Sequence, residues 1–226
     1  MALGNVFLLS QIAGHVILVI LSLCMLVPMA MSIHEFGGHC LLFTTGKWRE
    51  EDGMFEANWS STGLCDFPLF TAIFLFLVST MQIYRFARMN DEASFLSLFV
   101  DVVLGIWMLA SSILSAIMIT LGFIVWCDGM TERFPSCETA AGQNIIHGDQ
   151  DKIDTSGFYI EMGTAQFGAW GAFAISVGVG VIALLKLIQN HQVRNIKVSM
   201  YLERQRVVNQ IDDRSTTPII SETNSK

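Results

Sequence analysis

Four long apolar runs constrain the fold of this chain more than any other feature. They cover residues 6–32, 67–85, 95–126 and 162–186, and the charged side chains within them are Asp101 and the boundary residues Arg85 and Lys186. A helix needs about 20 predominantly apolar residues to cross a hydrocarbon core of about 30 Å. Each run meets that length and is apolar nearly all round, whereas a soluble amphipathic helix has a polar face. The sequence therefore predicts four membrane-spanning helices.

The composition agrees with this prediction. Hydrophobic residues make up 52% of the chain and charged residues 15%, well below the usual quarter. A net charge of −7 argues against a nucleic-acid partner, because a phosphate-binding surface needs clustered Lys and Arg. We expect one transmembrane domain, residues 1–188, followed by a partly disordered tail, residues 189–226.

The first run has an alternative interpretation as a cleaved signal peptide. It lacks a basic segment before the apolar stretch, and that stretch exceeds the ~7–15 residues of a signal-peptide core. An uncleaved first span is the prediction that these features favour.

Two polar segments, residues 33–66 and 127–161, connect the first span to the second and the third to the fourth. Each contains two cysteines, and the first also contains the glycosylation sequon Asn-Trp-Ser at Asn58. Cysteines of this kind form disulfides in an oxidising compartment, and a sequon is modified on the lumenal side. The sequence therefore predicts that both segments are outer loops and that Asn58 carries a glycan.

The four outer cysteines allow three pairings. We favour Cys40 with Cys65 and Cys127 with Cys137, because each of these bonds closes within its own loop. A metal site is the competing interpretation, but neither pair has the two-residue spacing typical of zinc ligands. Cys24 lies within the first span, where a thiol behaves as a small apolar group.

The basic residues predict the orientation of the chain. With both termini cytoplasmic, that side holds nine basic residues and the outer side four, which satisfies the positive-inside rule. The outer segments 34–66 and 127–161 have net charges of −4 and −5. The basic residues on the outer side are Lys47, Arg49, Arg133 and Lys152.

Three motifs carry a family resemblance. They are Cys-Leu-Leu-Phe-Thr-Thr-Gly-Lys-Trp at 40–48, Gly-Phe-Ile-Val-Trp-Cys-Asp at 122–128 and Ala-Gln-Phe-Gly-Ala-Trp at 165–170. With the Met-Ala-Leu start and the placement of the spans, they resemble the transmembrane protein 179 family, a branch of the claudin-like proteins. The resemblance covers nearly the whole chain except the tail. It implies an all-α membrane protein: a left-handed, claudin-like four-helix transmembrane bundle with a small extracellular β cap.

One departure limits what the resemblance implies about function. Claudins have a Gly-Leu-Trp motif followed by two cysteines, whereas this chain has Gly46-Lys47-Trp48 with Cys40 before it and Cys65 after it. A paracellular barrier or pore role therefore does not carry over. The wider group also includes auxiliary subunits of channels and receptors, which need no catalytic motif.

Two stretches suggest catalysis or metal binding at first, but neither matches the motif that this chemistry requires. His34 and His39 are five residues apart, but a zincin needs four, and two glycines between them disfavour a helix. The acidic stretch 149–154 lacks the glycine and the distal acid of a calcium loop, and we expect a solvated loop there. We predict no cofactor, no metal and no enzymatic activity.

Three features of the predicted spans bear on packing and function. Asp101 is costly in the middle of a bilayer, and we expect it at the cytoplasmic interface near Arg85 or Arg88. The third run exceeds the bilayer thickness, so its outer end should project and support the cap.

Small residues at a spacing of four, which let helices approach closely in lipid, form a stripe on the fourth span: Thr164, Gly168, Ala172, Ser176 and Gly180. We favour packing within the bundle, with a partner protein as the alternative.

Within the tail, apolar residues between Val193 and Val207 predict a short amphipathic helix near the membrane surface.

Two functions remain open. The first is an auxiliary or organising subunit in the plasma membrane that binds another integral membrane protein laterally. The second is an adhesion or junction component that acts through its outer loops, and self-association in the membrane would favour it.

Overall fold

The computed structural model describes residues 2–51, 55–88, 95–142, 144–147 and 151–216. These residues form four helices: α1 (Ala2–Glu35), α2 (Gly63–Arg88), α3 (Phe95–Thr131) and α4 (Phe158–Thr216). All four are long and apolar enough to cross a membrane, which confirms the predicted spans. The helices extend past the ends of the apolar runs, because the backbone hydrogen bonds of a helix do not require apolar side chains. The connections between them are therefore shorter than the predicted outer loops.

The end of α1 turns the chain from the membrane into the cap. Gly37 and Gly38 have φ angles of +62° and +87°, which glycine adopts without steric cost. The Gly38 amide donates to the Ile33 carbonyl at 2.8 Å, a hydrogen bond that ends the helix in the manner of a Schellman motif. The chain then enters β1 at Cys40.

The cap is a four-stranded sheet in the order β1-β2-β3-β4, which confirms the predicted β cap. Strands β1 (Cys40–Trp48) and β2 (Phe55–Ser60) form an antiparallel pair. Strand β3 (Asn144–His147) is parallel to β2, and β4 (Asp151–Asp154) is antiparallel to β3. The two outer connections therefore contribute two strands each to one sheet. Residues 151–154 are a strand and not the solvated loop expected from their acidic sequence; residues 149 and 150 lie outside the described residues.

A bulge in β1 shapes the hairpin. Cys40 pairs with Ser60, but Thr45 pairs with Asn58, so extra residues of β1 lie between these two pairs. Phe43, within the bulge, has a φ of +61°. Hydroxyl groups satisfy the carbonyls that the bulge removes from the ladder: Thr44 donates to Cys40 and Ser60 donates to Leu42, each at 2.5 Å.

Helix α3 has 37 residues and would span about 55 Å at about 1.5 Å per residue, well beyond a hydrocarbon core of about 30 Å. Its outer part contacts β1 extensively. A Cβ added at Gly122 would lie 2.7 Å from the Cβ of Leu42, so the absence of a side chain permits this approach. The expected contact between the end of the third run and the cap is therefore observed, whereas its projection beyond the bilayer stays a prediction.

The chain divides into two compact units, residues 1–183 and 184–226. The first unit contains the cap and the buried core of the four-helix region. In the second unit, residues 184–216 are helical as part of α4, so the helix is longer than the short one expected between Val193 and Val207.

Candidate functional site

Two disulfide bonds brace the cap. Cys40 is bonded to Cys65 and Cys127 to Cys137, with Cα–Cα distances of 5.6 and 5.2 Å. This is the pairing that the sequence favoured, with each bond inside its own connection. The first bond ties the start of β1 to the first turns of α2, and the second ties the last turns of α3 to the loop that follows. Cys24 is a free, half-buried thiol.

Aromatic side chains from four different segments meet at the centre of the cap. Trp126 of α3 contacts Phe36, Phe55 and Phe158 edge-to-face, with centroid distances of 6.1, 5.6 and 6.1 Å. All four side chains are buried. Edge-to-face pairs contribute about 0.5–1.5 kcal/mol beyond the burial of their surface. This aromatic cluster joins the end of α1, strand β2, α3 and the start of α4.

Trp48, at the end of β1, fixes the hairpin to the outer end of α3. Its indole N–H donates to the Gly129 carbonyl at 3.1 Å. Its ring lies 5.1 Å from Phe55 and 5.6 Å from Phe134, and the Arg133 guanidinium lies 5.4 Å from the ring centroid. The contacts of Trp48 and the aromatic cluster together pack the hairpin against the bundle.

The first two motifs of the family resemblance lie against each other in the structure. Leu42 of the first motif approaches Gly122 of the second, and Trp48 ends its strand beside Gly129, just after the second motif. In the third motif, the side-chain amide of Gln166 and the indole of Trp170 both donate to the Thr120 hydroxyl at 3.1 Å. The motif residues therefore hold the fold together at two interfaces.

Asn58 is exposed on β2. The hydroxyl of Ser60, the third residue of the sequon, donates to the Leu42 carbonyl, so this serine also has a structural role in the bulge. Glycosylation of Asn58 stays a prediction.

The two histidines that suggested a metal site have different environments. His34 is exposed in the last turn of α1, whereas His39 stacks on Trp59 with 4.9 Å between the ring centroids. The described residues contain no group of three or more His, Cys, Asp or Glu side chains arranged to hold a metal ion.

A shallow surface cavity of about 370 Å³ opens beside the end of β1 and α3. Its lining contains Trp48 and four charged side chains of both signs: Arg49, Glu50, Glu132 and Arg133. Arg49 also lies 3.8 Å from Glu56. The arrangement offers a polar contact surface and brings no nucleophile and base together.

Asp101 lies among polar partners near the end of the bundle that is remote from the cap. Its carboxylate forms an ion pair with Arg85 and accepts a hydrogen bond from the Gln82 amide at 3.0 Å. The expected partner Arg85 is therefore confirmed. His15 of α1 is buried nearby, with its ring 5.9 Å from the ring of Phe86. The ion pair and the hydrogen bond link α2 to α3 through polar side chains that lipid would not solvate.

The small-residue stripe on α4 is only partly buried. Gly168, Ala172 and Ser176 are buried, whereas Thr164 and Gly180 are half-buried. A Cβ at Gly168 would lie 2.9 Å from the Leu21 carbonyl oxygen and the Met25 amide nitrogen of α1. A Cβ at Gly180 would meet nothing within 4 Å. Close approach of α4 to α1 therefore occurs at Gly168.

Sequence reasoning missed Phe36, Trp126 and Phe158 as a connected cluster, and it missed the hydrogen bonds to Thr120. One signal was available: an aromatic residue lies at the outer end of several apolar runs, close to the cysteines. Their convergence depends on the helix arrangement, which no local pattern specifies.

Comparison with known families gives one match. A family model described as the transmembrane protein 179/179B claudin domain matches residues 7–208. The match includes most of the helical tail, which lay outside the resemblance seen in the motifs. No solved structure matches the chain significantly.

Proposed function

This chain belongs to the transmembrane protein 179/179B claudin-domain family, and we propose that it is a non-catalytic subunit that binds another integral membrane protein laterally. Its four apolar helices make it a multi-pass membrane protein in contact with the lipid bilayer. The proposal assigns the cap to the outer face, both termini to the cytoplasm and the protein to the plasma membrane. The excess of basic residues on the side of the termini supports this orientation.

One observation carries the lateral role. Trp107 of α3 is 64% exposed on the outer surface of the bundle. It lies six residues after Asp101, or roughly 9 Å further along the helix at about 1.5 Å per residue. Tryptophan in membrane proteins concentrates at the interface with water, and in protein complexes it is enriched at the residues that dominate binding. An exposed Trp107 on the apolar side of Asp101 fits a contact with a neighbouring membrane helix.

The test uses one exposed apolar position on each helix. Ile20, Leu77, Trp107 and Val181 are all at least half exposed, so each can be changed to alanine without opening the core. Proximity labelling, followed by purification in mild detergent, identifies proteins held by the unchanged chain. We expect Trp107→Ala to lose such a partner while the other three variants keep it. Retention of every partner by Trp107→Ala would contradict the assignment of this face.

Adhesion through the outer surface is the second candidate, and the surface cavity beside β1 favours it, because its lining of both charge signs lets two copies meet with opposite charges. Glu50 and Glu132 are exposed and line the same surface cavity. An adhesion component should accumulate at contacts between two expressing cells, and the double variant Glu50→Lys, Glu132→Lys should disperse it. The lateral role predicts instead that this variant keeps its partner and its distribution.

A further inference from the structure

The helical tail carries a charge opposite to that of the rest of the chain. We define the tail helix as residues 184–210 of α4. It contains Lys186, Arg194, Lys197, Arg204 and Arg206 with Glu203 as its one acid, a net charge of +4 in a chain of net charge −7. Clusters of basic residues directly after a membrane span attract anionic phospholipids.

The tail helix also has an exposed apolar strip, formed by Val193, Ile196, Met200 and Val207. Each of these side chains is at least half exposed. At roughly 100° per residue they lie within an arc of about 60°. Lys197 and Arg204 lie next to this strip on the same helical projection. An apolar strip bordered by basic side chains is typical of helices that lie in the membrane interface.

We propose that the tail helix is a binding surface for anionic phospholipid headgroups, with the apolar strip inserted between them. The charge complementarity identifies this occupant. Electrostatic attraction decays over about 8 Å at physiological salt. Arg206 is 20 residues beyond Lys186, roughly 30 Å along a helix, so both reach headgroups only if α4 bends after its spanning part and the tail helix lies along the membrane surface. A second copy of the tail helix is disfavoured as the occupant, because pairing along the strip would bring Lys197 and Arg204 of both copies together.

The test uses the full-length protein in nanodiscs of phosphatidylcholine with and without phosphatidylserine. Trypsin cleaves after the basic residues of the tail helix, and a helix held in the interface is protected. We expect cleavage after Arg194, Lys197, Arg204 and Arg206 to be roughly tenfold slower in the phosphatidylserine discs. Protection should disappear at roughly 1 M salt, where the Debye length is about 3 Å.

Two matched variants separate lipid insertion from a general effect of the discs on the protease. Ile196→Ser with Met200→Ser removes the centre of the strip and should restore fast cleavage. Val198→Ser with Leu202→Ser removes a similar apolar area from the opposite side of the helix and should leave protection intact. Equal cleavage of the unchanged protein in both kinds of disc would overturn the proposal. Protection that requires two copies per disc and ignores phosphatidylserine would also overturn it, in favour of self-association.

Discussion

The indole ring of Trp126 on α3 packs edge-to-face against the ring of Phe55 on β2, with 5.6 Å between their centroids and 77° between their planes. Each side chain is 1% exposed. This contact joins the first outer connection to the third span, although 71 residues of sequence separate the two. It makes the cap and the bundle one packed body within residues 1–183, and several measurable consequences depend on it.

Removing the aromatic centre should destabilise the protein strongly. Trp126→Ala should cost about 3–5 kcal/mol, because it leaves a cavity among Phe36, Phe55 and Phe158. The measurement is the thermal unfolding midpoint in detergent, together with the fraction of protein retained in the endoplasmic reticulum. Trp107→Ala is the matched control on the same helix and should change the midpoint little. Equal midpoints for both variants would contradict a central role for the cluster.

Gly168 should tolerate no side chain. Its Cβ would lie 2.9 Å from backbone atoms of α1, so Gly168→Ala should separate the helices and cost about 1–3 kcal/mol. Gly178 lies on the same helix with nothing within 4 Å of an added Cβ. Gly178→Ala should therefore gain up to about 1 kcal/mol from helix propensity alone. A gain in both variants, measured by thermal unfolding, would mean that α1 and α4 do not approach at Gly168.

Breaking the ion pair between Asp101 and Arg85 should destabilise the protein, because the charge of one partner is left unpaired. Asp101→Leu leaves the half-buried Arg85 without its carboxylate, so the cost should lie below the about 3–5 kcal/mol of breaking a fully buried pair. The double variant Asp101→Leu, Arg85→Leu should recover most of that loss, because no unpaired charge remains. Arg88→Leu, at an exposed position, should be neutral. Unfolding midpoints of the four proteins give the comparison, and a double variant as unstable as Asp101→Leu would contradict the prediction.

The disulfides should stabilise the cap unequally. Sequence separations of 25 and 10 residues correspond to roughly 3.5 and roughly 2.7 kcal/mol when chain entropy alone is counted. Cys40→Ser should therefore lower the unfolding midpoint more than Cys137→Ser does. Each variant should also add one free thiol to that of Cys24, on Cys65 or on Cys127. Peptide mapping of the unreduced protein would contradict the pairing if it recovered a peptide linked across the two connections.

The sequence predicted those parts of the fold that depend on local patterns. Long apolar runs specify the spans, and the placement of the cysteines within two connections favours the disulfides. The order β1-β2-β3-β4 was not predictable, because the parallel pairing of β2 with β3 joins segments about 90 residues apart. The small-residue stripe on α4 was likewise only partly predictable. Gly168 closely approaches α1 and Gly180 does not, but the spacing of the small residues is the same at both positions.

The orientation of the cap decides which class of partner can reach it, and glycosylation of Asn58 measures that orientation most directly. If the cap faces the lumen and then the cell exterior, glycosidase treatment should increase the mobility of the unchanged protein and leave Asn58→Gln unaffected. Ile211→Thr in the Asn58→Gln background creates a sequon at Asn209 in the tail, and it should remain unmodified because the same orientation places the tail in the cytoplasm. A glycan on Asn209 together with an unmodified Asn58 would show that the topology is inverted.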